Sequence, residues 1–269
     1  EFFSNKLGVA YPWPKYSQIV VRDYVSGAME NTTASVFGEF VQKTRRELID
    51  NHNDLIVAHE LFHQWFGDLV TCESWANLTM NEGFANYGEY LWLEHHYGPD
   101  AAENHRLREI RGYLRQAARN PHDLIYYDYE NKEATFDAHS YNKGGLVLHM
   151  LRHEVGDEAF FAALNKYLTE NAYSAVEADE LRLAFEDVTG RDLIWFFDQW
   201  YFSSGHPELN ITYDYDQEQR QVIVTVEQTQ NPDRFPPIFI LPTTIDLYFE
   251  DGRAPQRHRV RVDRRLQTF

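Results

Sequence analysis

The stretch that decides the fold lies at residues 54–68 and reads DLIVAHELFHQWFGD. Its apolar residues and histidines recur at the spacing of one helix face, and Gly67 is typical of a helix end. We expect Asp54 to cap the N-terminus of this helix. His59 and His63 are four residues apart, which places both imidazoles on one face, where they can converge on a single cation.

Two glutamates complete the pattern of a catalytic metal site. Glu60 is rotated by about 100° around the helix from His59, beside the open position of a metal, where it can accept a proton from water. A catalytic zinc has three protein ligands, so a third must come from a later element, and Glu82 on a predicted helix is the candidate. Asn86, one turn further on, could hydrogen-bond a ligand histidine. From these residues alone, two core histidines and a solvated Glu82 stay an alternative.

The composition bounds the kind of protein. The chain has 269 residues, of which 43% are hydrophobic, enough for one large domain or for one domain with a smaller companion. Its formal net charge of −17 disfavours a nucleic-acid partner, which requires a basic surface. The longest apolar runs, such as residues 91–93 and 238–241, are far shorter than the roughly 20 residues of a membrane helix, so we expect no membrane span. The single cysteine, Cys72, excludes an intrachain disulfide.

The periodic patterns predict strands first, then helices, then strands again. Residues 17–24 and 36–41 are predicted to be strands joined by a loop around residues 27–33. Beyond the stretch at 54–68, helices are predicted at residues 78–97, 101–119, 146–154, 159–170, 179–188 and 193–202. Strands are predicted again at residues 210–214, 221–228, 238–249 and 257–262. We therefore place a domain boundary at Gly205-His206-Pro207, followed by a β module.

Four separated stretches together resemble the aminopeptidase N family of zinc metallopeptidases, which are gluzincins with an HExxH-x18-E pattern and a GAMEN motif. Gly27-Ala28-Met29-Glu30-Asn31 is identical to the family's exopeptidase signature. Residues 59–68 match its zinc helix, residues 81–85 match the helix of the third ligand, and residues 141–144 resemble the segment with its catalytic tyrosine. Four matches in the family's order leave little room for coincidence.

The resemblance implies an α+β fold. Residues 1–205 would form a thermolysin-like zinc catalytic domain, a β lobe followed by a helical lobe, and residues 206–269 a small β-sandwich-like module that is possibly truncated. Family members normally begin with a saddle-like β domain and often end with a large helical domain. We therefore expect this chain to be part of a longer one that has an N-terminal and possibly a C-terminal domain in addition.

The resemblance also implies roles for individual residues. The ligands of one zinc ion per chain would be His59, His63 and Glu82. Glu60 would be the general base, Tyr141 would stabilise the oxyanion of the transition state, and Glu30 would bind the free α-ammonium group of a peptide substrate. Backbone groups of Gly27 and Ala28 would bind the extended substrate. The implied activity is that of a zinc-dependent aminopeptidase.

Two other functions compete with this interpretation. A thermolysin-type endopeptidase would have no use for an amine-binding Glu30. A non-catalytic peptide-binding relative is disfavoured because Glu60 and Tyr141 are both present, whereas a pseudoenzyme usually lacks one of them. A related branch of the family also hydrolyses an epoxide, and a side activity of that kind stays open. The sequence assigns no compartment.

Overall fold

The computed structural model describes residues 1–50 and 52–269. Helices and sheets are both present, so the predicted α+β class is confirmed. The chain divides into two compact units, Glu1–Ile194 and Trp195–Phe269, which we describe separately. Within the described residues, no helix has the length and apolar character needed to cross a bilayer. The division into domains at residues 1–205 and 206–269 stays a prediction.

The first unit is mainly helical. Its helices are α1 (Phe2–Leu7), α2 (Asp54–Phe62), α3 (Thr79–His96), α4 (Pro99–Ala117), α5 (Gly144–Val155), α6 (Asp157–Glu170) and α7 (Ala178–Thr189). Its strands are β1 (Ser17–Val21), β2 (Ala28–Met29), β3 (Ala34–Gly38), β4 (Val70–Cys72) and β5 (Ser174–Val176). A π-helical segment, His139–Lys143, leads directly into α5. Helix α8 (Ile194–Trp200) begins where the first unit ends.

The small sheet near the N-terminus differs from the prediction at three places, the first being that β1 ends at Val21 and not at residue 24. Strand β3 lies in the middle, parallel to β1 and antiparallel to β2. The predicted loop at residues 27–33 contains β2. The prediction missed this strand because two residues are too few to show an alternating pattern. The predicted strand at 36–41 instead spans 34–38 and is followed by a 3-10 turn. The ring of Phe40 folds back to within 3.0 Å of where a Cβ of Gly38 would lie, so the glycine permits this turn.

Two predictions about α2 are wrong. Asp54 is the first residue of the helix and not its N-cap, and its carboxylate accepts a hydrogen bond of 2.7 Å from the Tyr97 hydroxyl beyond α3. The helix ends at Phe62, before Gly67. The chain then turns tightly, with Gly67 at a φ of 137°, a conformation that side chains other than glycine rarely adopt. The hydrogen bond from Tyr97 to Asp54 thus joins the C-terminal end of α3 to the N-terminal end of α2.

The core of the first unit sets the separation of α2 and α3. The rings of Phe66 and Phe84 stack with their centroids 4.1 Å apart and their planes at 2°. A Cβ on Gly88 of α3 would lie 2.7 Å from the Phe62 ring of α2, so glycine is required for this close approach. Burying large aromatic side chains in this way is the main stabilising contribution to such a core. The same packing fixes the faces of α2 and α3 that carry the predicted ligands.

Helix α3 also packs closely against α5. A Cβ on Gly83 would lie 3.0 Å from the Cα of Gly144, so the two backbones nearly touch where Glu82 and the segment before α5 meet. The hydroxyl of Thr79 donates a hydrogen bond of 2.9 Å to the carbonyl of Ser140 at the same point. The residues on either side of this contact, Glu82 and Tyr141, are thereby placed near each other.

The second unit contains α8 from Trp195 onwards and the last five strands. Its strands are β6 (Leu209–Asp216), β7 (Gln221–Gln228), β8 (Leu241–Leu247), β9 (Gln256–Val262) and β10 (Leu266–Thr268). They form one antiparallel sheet in the order β10-β7-β6 and an antiparallel β8-β9 pair. The predicted strand at 238–249 is shorter in the structure, because the backbone groups of Phe239 and Ile240 form hydrogen bonds with side chains. The amide of Gln228 bonds both the N–H and the carbonyl of Phe239, and the amide of Gln199 does the same for Ile240.

Candidate active site

Two histidines and one glutamate from neighbouring helices form the centre of the site. Helix α2 carries His59, His63 is the C-cap residue directly after it, and α3 carries Glu82. The Nε2 atom of each histidine lies 3.2 Å from Oε2 of Glu82. The ligand atoms of these three residues all lie within 4.8 Å of one another. The structure thus brings the three predicted ligands together at one point.

The remaining ring nitrogens fit a zinc site. His63 Nδ1 lies 2.9 Å from the carbonyl oxygen of Phe66, and because a carbonyl only accepts, that nitrogen carries the proton. His59 Nδ1 lies 2.9 Å from Oε1 of Glu89, an arrangement that holds its proton in the same way. Both Nε2 lone pairs can then point at the Glu82 carboxylate. Lone pairs and an anion repel one another unless a cation or protons lie between them, and two imidazoles with one carboxylate are a donor set that zinc favours.

The charges around these groups favour a cation. Burial would raise the pKa of Glu82, but His63 and His59 outweigh it and hold the pKa well below its ordinary value, so the carboxylate stays ionised. Burial likewise opposes protonation of His63, and the charges of Glu82 and Glu30 nevertheless raise its pKa to about 9. The centre is therefore a buried position at which positive charge is stabilised.

The sequence interpretation misplaced one residue behind the ligands. Asn86, expected to hydrogen-bond a ligand histidine, instead donates from Nδ2 to Glu109 Oε2 at 2.8 Å. Glu89, and not Asn86, makes the contact with His59. The reason is helical: Glu89 lies about two turns after Glu82 and returns to the same face, whereas Asn86 faces α4. The spacing between Glu82 and Glu89 was the signal that could have identified it.

Glu60 lies beside the three predicted ligands. It is 5% exposed, and its Oε2 has no hydrogen-bond partner within residues 1–50 and 52–269. Burial raises its pKa to about 7, against the opposing effect of His63 and His59. A carboxyl group whose pKa lies near neutrality can both accept and return a proton. One oxygen of Glu60 also groups with Glu30 and His63.

The loop that carries Glu30 is held by a residue that the sequence analysis did not single out. Gln64, which is fully buried just after α2, donates from Nε2 to the carbonyl of Glu30 at 2.9 Å. Its Oε1 accepts from the backbone N–H of Thr33 at 2.9 Å and from the hydroxyl of Tyr11 at 3.0 Å. The GAMEN stretch is thus fixed to the residue that directly follows His63 at the end of α2.

Tyr141 lies in the π-helical segment, with its ring stacked over that of His59 at a centroid distance of 6.0 Å. Burial and the nearby charge of Glu82 raise the pKa of its hydroxyl, so the phenol keeps its proton and can donate it in a hydrogen bond. The Asp137 carboxylate supports the start of this segment. Its Oδ1 accepts hydrogen bonds from the backbone N–H groups of His139 and Ser140 at 2.9 and 3.1 Å. Its other oxygen lies 2.9 Å from Nδ1 of His139.

The candidate site lies in one cleft with a volume of about 730 Å³. Its described lining includes seven of the predicted site residues, namely Ala28, Glu30, His59, Glu60, His63, Glu82 and Tyr141. Gly27 lies at the sheet, where its carbonyl accepts from the N–H of Gly38 at 3.0 Å, and a contact of Gly27 with substrate stays a prediction. Met29, Trp75 and Phe136 add apolar walls. A cleft of this size and mixed character suits a short peptide segment.

Comparison with known proteins places this fold and cleft in a family. The model of the peptidase family M1 domain matches residues 1–200. The chain therefore belongs to peptidase family M1, which confirms the resemblance to aminopeptidase N and its relatives.

Individual relatives are longer than this chain. It is 34% identical over 218 residues to aminopeptidase M1-A of Oryza sativa subsp. japonica, covering 78% of this chain and 25% of that protein. It is 33% identical over 221 residues to tricorn protease-interacting factor F2 of Thermoplasma volcanium, covering 80% and 28%. The chain thus spans about a quarter of the length of these relatives. The crystal structure of Legionella pneumophila aminopeptidase A in complex with aspartic acid matches the whole fold with a TM-score of 0.81 at 22% identity, over 30% of that chain.

Proposed function

We propose that this chain is the catalytic part of a zinc-dependent aminopeptidase that removes N-terminal residues from peptides. The observation that carries the proposal is the convergence, in one cleft, of the His59–His63–Glu82 group with Glu60 and Tyr141. Membership of peptidase family M1 supports it. We further propose that residues 1–205 are a thermolysin-like catalytic domain with a β lobe and a helical lobe, and that residues 206–269 are a β-sandwich-like module.

One zinc ion per chain would be held by His59, His63 and Glu82. When bound, zinc supplies a Lewis acid that stabilises negative charge developing on the scissile carbonyl. Glu89 and the Phe66 carbonyl keep the histidine protons on Nδ1, so the Nε2 atoms stay available as ligands. Every one of these groups is supplied by this chain.

Glu60 transfers the proton. Its carboxylate accepts a proton from the attacking water and then delivers it to the departing amine nitrogen, so that the amide C–N bond breaks without expelling an unprotonated amide anion. Its position beside the three proposed ligands suits both steps, because a carboxylate there can accept a proton and return it. The unpaired Oε2 among the described residues leaves one oxygen of Glu60 available for that proton.

Tyr141 donates its phenolic hydrogen to the oxygen that becomes negative in the tetrahedral transition state. The donor is already placed over His59, so little reorganisation is needed when charge develops. Such a hydrogen bond forms more strongly in the transition state than in the ground state, which makes it catalytic and not merely binding.

Glu30 selects for a free N-terminus. Its backbone carbonyl accepts a hydrogen bond from Gln64 just after α2, and its carboxylate would pair with the α-ammonium group of the substrate one residue before the scissile bond. Backbone groups of Gly27 and Ala28 would align the extended peptide. A blocked N-terminus would remove the charge that Glu30 recognises, and this distinguishes an aminopeptidase from an endopeptidase.

The test is the hydrolysis of fluorogenic aminoacyl amides by the whole zinc-loaded protein, since the chain spans about a quarter of its relatives' length. We expect Glu60→Gln to abolish activity, Glu30→Ala to raise KM, and an N-acetylated substrate to be refused. Glu170→Gln, an exposed change that removes only a contact to Lys166, is the control. Cleavage of the acetylated substrate would indicate an endopeptidase. Zinc binding with no hydrolysis of any peptide would indicate a non-catalytic relative.

A further inference from the structure

A carboxylate outside the proposed ligand set joins two parts of the active site. Glu109 lies on α4, and its Oε2 accepts two hydrogen bonds of 2.8 Å. One comes from Nδ2 of Asn86 on α3, one turn after the proposed ligand Glu82. The other comes from Nδ2 of Asn142, the residue directly after Tyr141. A single oxygen atom therefore connects the helix of Glu82 to the segment of Tyr141.

Two glycines make room for these amides. A Cβ on Gly112 of α4 would lie 2.7 Å from Asn142 Nδ2, and a Cβ on Gly145 of α5 would overlap Asn86 Oδ1. Any larger residue at either position would displace the amide from its place. The two asparagine side chains are thus confined by packing as well as by their hydrogen bonds to Glu109.

The same carboxylate lies near the residue that holds His59. Nε2 of His105, which is 4% exposed, lies 3.9 Å from Oε1 of Glu109 and 3.8 Å from Oε2 of Glu89. Glu89 in turn contacts Nδ1 of His59. Side chains of α3 and α4 therefore form a continuous polar layer behind the cleft, from His59 to Asn142.

We propose that Glu109 is a positioning residue for the reaction, because it fixes the segment of Tyr141 to the helix of Glu82 through Asn142 and Asn86. This inference rests on the proposed function of the site. A π-helical turn is rare and occurs mostly as a single turn within an α-helix, often at a functional site. Here hydrogen bonds to carboxylate side chains support the turn on both sides of Tyr141. Asp137 supplies that support before Tyr141, and Glu109 supplies it after Tyr141.

Glu109→Gln is the first test, in the whole enzyme. Glutamine keeps the size of the side chain and one acceptor oxygen but lacks the charge, so the hydrogen bonds from Asn86 and Asn142 should be weaker. We expect kcat to fall by about 10- to 100-fold, the effect of a small displacement of a catalytic group, with KM changed less than about threefold. Zinc affinity, measured by competition with a chromogenic chelator, should change less than about threefold, because none of the three proposed ligands is altered.

A matched control lies on the same helix. Glu103 of α4 also accepts a hydrogen bond from α3, at 3.1 Å from the Tyr90 hydroxyl, but it contacts neither asparagine. Glu103→Gln should leave kcat unchanged. If Glu103→Gln lowers kcat as much as Glu109→Gln does, a general loosening of α3 against α4 explains both and the proposal is wrong.

Gly112→Ala tests the same contact without changing a polar group. Alanine favours a helix more than glycine does, so α4 should not be weakened, but its Cβ would push Asn142 off Glu109. We expect the same loss of kcat, together with faster amide hydrogen exchange in residues 139–143, measured by mass spectrometry. A structural role alone would not produce lower kcat with undiminished thermal stability.

The exchange measurement separates this proposal from the proposed function. If the wild-type enzyme hydrolyses no amide, the function is wrong, and faster exchange of residues 139–143 in both variants still supports the positioning role. If both variants keep wild-type kcat and wild-type exchange, the positioning role is wrong. A parallel loss of zinc affinity and kcat in Glu109→Gln would also overturn it, since Glu109 would then act through the metal.

Discussion

The two halves of the proposed active site are built in different ways. We call α2 and α3, with His59, His63 and Glu82, the metal half, and residues 139–143, with Tyr141, the tyrosine half. In the metal half, two regular helices and the C-cap of α2 place the ligands, and spacing in the sequence alone brings His59 and His63 to one face. In the tyrosine half, a π-helical turn places the side chain, and one of its supporting hydrogen bonds runs from Asn142 to Glu109, which is distant in the sequence.

The difference teaches which contacts each half needs. The metal half needs close packing: Gly88 admits the ring of Phe62, and this sets the gap between α2 and α3. The tyrosine half needs hydrogen-bond acceptors. Asp137 accepts from His139, before Tyr141, and Glu109 accepts from Asn142, after Tyr141. Changes in the two halves should therefore separate into effects on metal affinity and effects on the rate of the chemical step.

The largest effect should follow from breaking the metal half. Glu82→Ala removes the carboxylate that faces both Nε2 atoms, so we expect zinc affinity to fall by more than the roughly 10- to 100-fold that is typical of residues behind the ligands. Hydrolysis should be lost at the same time. The loss of zinc is measured as the zinc content per chain, determined by atomic absorption after dialysis. Retention of one tightly bound zinc per chain in this variant would contradict the ligand assignment.

Breaking the tyrosine half should leave the metal in place. Tyr141→Phe removes only the phenolic oxygen, and we expect kcat to fall by about 10²- to 10³-fold, the usual effect of losing one oxyanion donor. KM and zinc affinity should change little, because the ring can still stack on His59. Steady-state kinetics with parallel zinc titration measures both. A loss of zinc comparable with that of Glu82→Ala would show that the halves are not separable.

A milder change sharpens the comparison within the metal half. Glu89→Gln keeps an acceptor oxygen near His59 Nδ1 but removes the negative charge, so we expect zinc affinity to fall by about tenfold. The effect on kcat of the zinc-saturated enzyme should be smaller than that of Tyr141→Phe. Chelator competition at several zinc concentrations separates the two quantities. Wild-type zinc affinity would mean that Glu89 does not orient the ligand.

The sequence predicted the metal half better than the tyrosine half, for physical reasons. Helix periodicity is local, so the spacing of His59 and His63 carried their geometry, whereas Glu82 was a candidate from a later predicted helix and from the resemblance. The support from Gln64 and Glu109 is tertiary, and neither residue stands in a pattern that predicts its partner. A π-helical turn has no distinct period, so no secondary structure was predicted for residues 139–143, and the role of Tyr141 came from the resemblance alone.

The fold shows the same division. The long helices α3 and α4 were predicted within a few residues of their bounds, since each has many repeats of the apolar pattern. Short elements were missed. Helix α1 is six residues long, and its buried pair, Phe3 and Leu7, gives only one helical repeat. Strand β2 has two residues, and the pairing of β4 with β5 joins segments that are far apart in the chain.

The smallest effect concerns Lys143, at the end of the tyrosine half. Burial lowers the pKa of this lysine to about 8, with the charge of Asp123 opposing, whereas a lysine in the unfolded chain titrates near 10.4. Between about pH 8 and pH 10 the unfolded chain therefore binds more protons than the folded one, so the contribution of Lys143 makes the free energy of unfolding rise with pH in this window.

Comparison of Lys143→Met with the wild type isolates that contribution, because all other titrating groups are shared. We expect the stability of the wild type relative to Lys143→Met to increase by on the order of 1–3 kcal/mol from pH 8 to pH 10, measured by urea unfolding. Below about pH 7 the difference between the two should be constant, since the lysine is then protonated in both states. A difference that is flat across the whole range would mean that the folded tyrosine half leaves Lys143 with an ordinary pKa. That result would place its ammonium group in water, and the turn that carries Tyr141 would be more open than the structure has it.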